Sequence, residues 1–146
     1  MAGRDVDRLQ EEIAELFADL WRVPRFVSQR GGFRPNVDSY HTHDPHELVV
    51  LVELSGVDPA SVRVVVGERV LVVSGERVRP RAEGRVYQQA EIEYGPFQRQ
   101  VRLPEDVDPA RARAEFERGI LTISLPVAET PETPAPRGRI TIAVER

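Results

Sequence analysis

Arg113-Ala114-Glu115-Phe116-Glu117-Arg118-Gly119-Ile120-Leu121-Thr122-Ile123-Ser124-Leu125 decides the fold. Apolar and polar residues alternate on both sides of Arg118-Gly119, which is the period of a half-buried strand rather than a helix. The spacing predicts a hairpin, Arg113 to Glu117 and Ile120 to Leu125, turning at Arg118-Gly119. The same period runs upstream. Val37 to Thr42 alternates weakly, Glu47 to Leu54 is a dense apolar run, and Ser61 to Val66 puts Val62, Val64 and Val66 on one face. Val70 to Ser74 follows Gly67-Glu68, a charged loop carries a short strand candidate at Arg85 to Gln89, and Phe97 to Leu103 is closed by Pro104. Seven to nine short strands with almost no helix predict an all-β fold, an immunoglobulin-like β-sandwich.

The sandwich has an arm on each side. From Arg4 to Trp21, Val6, Leu9, Ile13, Leu16 and Leu20 recur at helical spacing with Phe17 and Trp21 beside them, and Pro24 ends the stripe. So short an amphipathic helix is unstable alone in water and must pack on its domain, another copy or a foreign chain. Arg25 to Pro35 follows as a loose linker with Phe26 and Phe33 expected to be exposed. At the other end, Pro126, Pro131, Pro134 and Pro136 are expected to keep the segment from Val127 to Arg139 out of regular structure. Beyond it stands Ile140-Thr141-Ile142, whose two isoleucines share one face of an extended strand while Thr141 points away. An apolar plug on a stiff tether is suited to docking outside its own domain; the alternative is that Ile140 to Val144 returns as a last strand of its own sandwich. The expected organisation is an N-terminal amphipathic helical arm with linker (1–34), the sandwich (35–126) and an extended C-terminal tail (127–146).

Composition narrows the function. The 146-residue chain carries 24 acidic against 20 basic side chains, a formal net charge of −4, which leaves no basic footprint for nucleic acid. No apolar run approaches the roughly 20 residues that span a bilayer, so no stable membrane insertion is expected. Met1-Ala2-Gly3-Arg4-Asp5 lacks the apolar core of a secretion signal, and cysteine is absent; both fit a cytoplasmic location. All 20 basic residues are arginine, which removes every lysine-dependent chemistry; coding bias is the simpler origin and heat adaptation the sharper one. No serine stands in a Gly-x-Ser-x-Gly elbow, and no nucleophile–base set stands out, so the chain is read as no enzyme and without cofactors. His41 and His43 share a strand face near His46, but without a full ligand set no metal is assigned.

Several stretches together resemble the α-crystallin domain of small heat-shock proteins. They are Glu53-Leu54-Ser55-Gly56-Val57, Leu71-Val72-Val73-Ser74-Gly75-Glu76-Arg77, Tyr94-Gly95-Pro96-Phe97-Gln98-Arg99 with Leu103-Pro104, and the hairpin quoted above through Pro126. Ile140-Thr141-Ile142 is similar to the family's C-terminal Ile-x-Ile motif. The resemblance implies an ATP-independent holdase chaperone that binds partly unfolded proteins and assembles from strand-swapped dimers into exchanging oligomers, with ATP-dependent refolding chaperones downstream. It implies that Arg85, Val86, Tyr87, Gln88 and Gln89 form the swapped strand, and that Arg99 meets acids at the dimer contact, with Glu91 and Glu93 as candidates. It also implies that Val62, Val64, Val66, Ala114 and Phe116 wall a groove for Ile140 and Ile142 of another dimer. Burying two isoleucines yields about 3–6 kcal/mol before ordering costs, so each link is weak and reversible. Polyproline-like, the tether reaches about 40 Å. Leu9, Ile13, Leu16, Phe17, Leu20, Trp21, Phe26 and Phe33 are the expected client-binding surface. The competing reading is a monomeric co-chaperone or adapter on the same scaffold.

Overall fold

The computed structural model describes residues 32–67, 69–129 and 138–144. The N-terminal stripe, from Leu9 through Trp21, and Phe26 lie outside them. Among the described residues, nine strands form two facing sheets: β1 (Val37–His43), β2 (His46–Glu53), β3 (Arg63–Gly67), β4 (Val70–Arg77), β5 (Gly95–Arg102), β6 (Arg113–Glu117), β7 (Ile120–Pro126), β8 (Gly138–Arg139) and β9 (Ile142–Val144). One sheet has the order β1-β2-β7-β6-β9 and the other β5-β4-β3-β8. All pairings are antiparallel except β6 with β9.

Alternation builds the core. Leu48, Val50 and Val52 of β2 and Leu121, Ile123 and Leu125 of β7 meet Val64 and Val66 of β3, Leu71 and Val73 of β4 and Phe97 of β5 in one buried cluster. The β6–β7 turn is two residues long, with Arg118 at φ 52° and Gly119 at φ 80°. Positive φ at both positions matches the right-handed twist of the strands it joins. Glycine suits the second position doubly, since a Cβ there would lie 3.1 Å from Ser55 Cα.

Three sequence expectations change. Phe33 is buried, 9% exposed, and packs edge-on to Phe97 with ring centroids 5.6 Å apart. It is a core residue, because the short linker segment before β1 has an apolar ring to bury and the mouth of the sandwich leaves Phe97 uncovered. Arg85 to Gln89 form no strand and are exposed, since a strand needs a neighbour to satisfy its backbone and the loop lies against none. The prolines do not keep the whole tail irregular either: Pro126 ends β7, Val127 bridges Val107, and Gly138–Arg139 pair with β3.

Candidate functional site

Two strands wall the site, and one local device launches both. Val57-Asp58-Pro59-Ala60 and Val107-Asp108-Pro109-Ala110 are the same tetrapeptide. In each, proline opens a single 3₁₀ turn and the aspartate side chain accepts the backbone N–H two residues on, at 3.0 Å. An aspartate cap followed by proline satisfies the turn's free donor with no donor wasted at the proline. β3 leaves one turn and β6 the other, on facing sheets. This repeat is the signal in the sequence that marks both walls.

The tail lies along both walls. β8 pairs antiparallel with β3, placing Arg139 opposite Val65 and Gly138 opposite Val66, and Ile140 N–H donates to Val64 O at 3.1 Å. The chain then crosses to the other sheet, where β9 runs parallel to β6 with Ile142 opposite Ala114 and Val144 opposite Phe116. Ile140 is 8% exposed and belongs to the core cluster, Thr141 is exposed, and Ile142 packs half-buried on the cluster. Val64, Val66 and Ala114 are buried beneath it, with Val62 and Phe116 half-buried at the rim. A cleft of about 410 Å³ beside it is lined by Pro109, Ala110, Ala112 and residues 138–141.

In the single chain, Ile140 and Ile142 sit in the groove of the sandwich that carries them, the arrangement in which the tail returns to its own domain. Without the tail, β3 and β6 are sheet edges with unpaired backbone groups, and the returning segment pairs with both while burying an isoleucine between them. The tether is long enough to return as well as to reach out.

The long β4–β5 loop is the second feature. Arg77, at the end of β4, anchors its far side. Its guanidinium carbon lies 3.5 Å above the Phe33 ring centroid, Nε and Nη2 donate to Glu93 O, and Nη1 donates to Ser55 O at 3.3 Å. Arg79 continues the stack, 4.5 Å from the Tyr94 ring and 5.1 Å from the Tyr87 ring. Hydrogen bonds from Arg79 and then Arg85 hold the Tyr87 phenol below its ordinary pKa. Val78, Val86, Tyr87 and Ile92 are large apolar side chains left exposed along this loop, Val86 at 88%.

Arg99 does not meet Glu91 or Glu93 within the chain. Its Nη1 donates to Pro35 O at 2.7 Å, and burial, then the nearby charge of Arg34, lowers its pKa. The residue that grips the acidic end of the loop is Arg77, through a backbone carbonyl. Elsewhere, Arg113 holds the nearly buried Glu47 carboxylate at 3.0 and 3.3 Å, and Arg69 pairs with Asp106 at 3.0 Å. Among the described residues no three metal-ligating side chains are gathered, and no helix is long and apolar enough to cross a membrane.

A sandwich of two sheets, antiparallel but for the β6–β9 pair, with an exposed loop between β4 and β5 and an Ile-x-Ile tail laid across the β3–β6 groove, is an α-crystallin type of domain. Residues 40–145 match the Hsp20/alpha crystallin family, and the chain belongs to it. It is similar to the 16.9 kDa class I heat shock protein 1 of Triticum aestivum, 35% identical over 135 residues covering 82% of this chain and 88% of that one. The 19.0 kDa class II heat shock protein of Oryza sativa subsp. japonica is 41% identical over 97 residues, which span 62% of this chain but only 55% of the rice protein. Among solved structures, heat shock protein 16.0 from Schizosaccharomyces pombe superposes with a TM-score of 0.62 at 31% identity, covering 69% of this chain and 93% of that one.

Proposed function

We propose that this chain is an ATP-independent holdase that binds partly unfolded proteins and prevents their aggregation, working as a stress-response chaperone in the cytoplasm. The observation that carries the reading is the tail in its groove: an apolar plug, tied by a handful of backbone bonds, covers a surface that fits an extended apolar segment. A segment of an unfolding client has the same chemistry as residues 138–144 and competes for the same edges. In the assembled state, Arg85 to Gln89 pair with the open edge of β1 in a second copy, and tails exchange between grooves to link dimers into larger oligomers. Val86 and Tyr87, exposed on the loop, supply the apolar contact for that step, and Arg99 exchanges its bond to Pro35 for an acid across the interface. Clients also meet the stripe of Leu9, Ile13, Leu16, Phe17, Leu20 and Trp21 with Phe26, and pass on to ATP-dependent chaperones for refolding.

The test is light scattering from a heat-labile enzyme warmed with the chain at equimolar ratio. Suppression by the full chain, lost on removal of residues 1–31 while the sandwich stays folded, is the expected result. Full protection by the truncated chain would remove the arm from the client surface, and no protection by either would end the holdase reading. The truncation stops before Phe33, which the core requires.

One observation favours a second reading. A chain that fills its own groove has no need of a neighbour, as a monomeric co-chaperone or adapter on this scaffold would. Size-exclusion chromatography with light scattering separates the two: a stable monomer at micromolar concentration selects the adapter.

A further inference from the structure

The chain has three histidines, and all three stand within six positions, His41, His43 and His46. The β1–β2 hairpin brings them to one face. His41 pairs in register with Leu48 and His43 with His46, so all three point to the side that further along the hairpin carries the core residues Val50 and Val52. Leu48 is the last core residue at this end of the hairpin, and His41, His43 and His46 are exposed. His46 Nε2 lies 3.2 Å from Glu105 Oε2. His41 and His43 have no such partner among the hydrogen bonds of the described residues; instead their rings stand edge to face with centroids 5.1 Å apart.

That separation has a chemical meaning. Two imidazoles on one metal, at metal–nitrogen distances of about 2.0–2.1 Å and a tetrahedral to right-angled bite, place their ring centroids about 4.5–5.2 Å apart. The strand holds the two α-carbons about 6.4–6.8 Å apart on one face, and the side-chain rotamers bring the rings in to 5.1 Å. β1 is also the free edge of its sheet, so the pair is open to solvent.

We propose that His41 and His43 form a two-imidazole chelate for a late first-row divalent cation, Cu²⁺ or Zn²⁺, on the open edge strand. Neutral imidazole is the ligand these ions prefer in a chain without thiols, and Cu²⁺ binds the more tightly of the two. The remaining coordination positions hold water. His46 stays with Glu105 and is not a ligand. The site uses no residue of the tail groove or the β4–β5 loop, and its side chains project from the face of β1 rather than from the backbone edge that the loop of a second copy would pair with.

The experiment is calorimetric titration of the full chain with Zn²⁺ alone in a non-chelating buffer, with electron paramagnetic resonance of the Cu²⁺-loaded chain. Expected are one ion per chain, a Cu²⁺ spectrum with two nitrogen couplings, and a loss of at least about tenfold in affinity for His41→Asn or His43→Asn, with His46→Asn unchanged. Circular dichroism of each variant checks that the hairpin still forms; these exposed positions tolerate asparagine, and a misfolded variant is replaced by glutamine at the same site. No binding by the wild type overturns the proposal. So does a spectrum with fewer than two nitrogens, or a loss for His46→Asn as large as for the other two.

Discussion

Phe33→Ala is the substitution with the largest reach for its size. The ring is 9% exposed, meets Phe97 edge-on at 5.6 Å, and carries the Arg77 guanidinium on its other side at 3.5 Å. Truncating a buried phenylalanine costs about 3–5 kcal/mol. Phe33 lies at the mouth of the sandwich, where neighbours collapse more easily than at the centre, so the low end applies: about 3 kcal/mol. For a domain of this size that is a fall in Tm of about 12–24 °C. Phe33→Leu restores most of the area but not the aromatic edge or the cation's ring face, and recovers about half. Chemical denaturation of the full chain, followed by the near-ultraviolet signal, gives the difference in free energy directly. An unchanged midpoint for Phe33→Ala, together with weaker protection of a heated enzyme, would refute the reasoning. The ring would then be a client contact after all, as its place in a glycine-rich linker suggests.

The tail and the turns give smaller, local effects. Ile140→Ala removes about 2 kcal/mol or more of buried contact and loosens the Ile140 amide from Val64 O, read as at least about 30-fold faster hydrogen exchange there while β2 and β7 amides hold their rates. Gly119→Ala costs about 1–2 kcal/mol in denaturant, since φ of 80° is a left-handed conformation and the added Cβ crowds Ser55. For Tyr87 the folded-state pKa is lowered, so its phenolate is favoured by the folded loop, and the contribution is complete above the unfolded value and lost as pH falls through the folded one. Phenolate absorbance should show Tyr87 ionising before a free tyrosine, and Arg79→Ala should move it back toward the ordinary range.

Strands β3, β6 and β7 were legible because burial on one face imposes period two, while β2 and β4 announced themselves as dense apolar runs buried on both faces. Arg118-Gly119 named its own turn, because two positive-φ residues between alternating runs leave few other choices. Phe33 was misread for a physical reason: Gly31-Gly32 and Arg34-Pro35 around it are linker residues, and nothing local reveals that Phe97 lies uncovered across the sandwich. The role of Arg77 was hidden likewise, since its partners Phe33, Ser55 and Glu93 are distant in sequence. The groove was half legible. Its apolar faces followed from alternation, and the repeated Val-Asp-Pro-Ala before each wall was in plain view, but which copy's tail fills it is a matter of concentration rather than pattern.

That concentration sets the order in which any assembly must form. A tail tethered to its own groove docks at an effective concentration in the millimolar range. The same contacts offered by a free second copy at micromolar concentration are about 1,000-fold less favoured, about 4 kcal/mol. A tail cannot displace its equal at that disadvantage, so the loop must bring two copies together first and several tails must exchange together. Val86→Asp with Tyr87→Asp places charge where the β4–β5 loop is most exposed, and should therefore leave monomers whose Ile140 amides stay protected, each groove still filled by its own chain. Ile140→Ser with Ile142→Ser acts later and should stop assembly at dimers. Light scattering separates the two masses and hydrogen exchange separates the two grooves. Monomers from the tail variant, or large oligomers from the loop variant, would reverse the order and mean that tails cross between copies unaided.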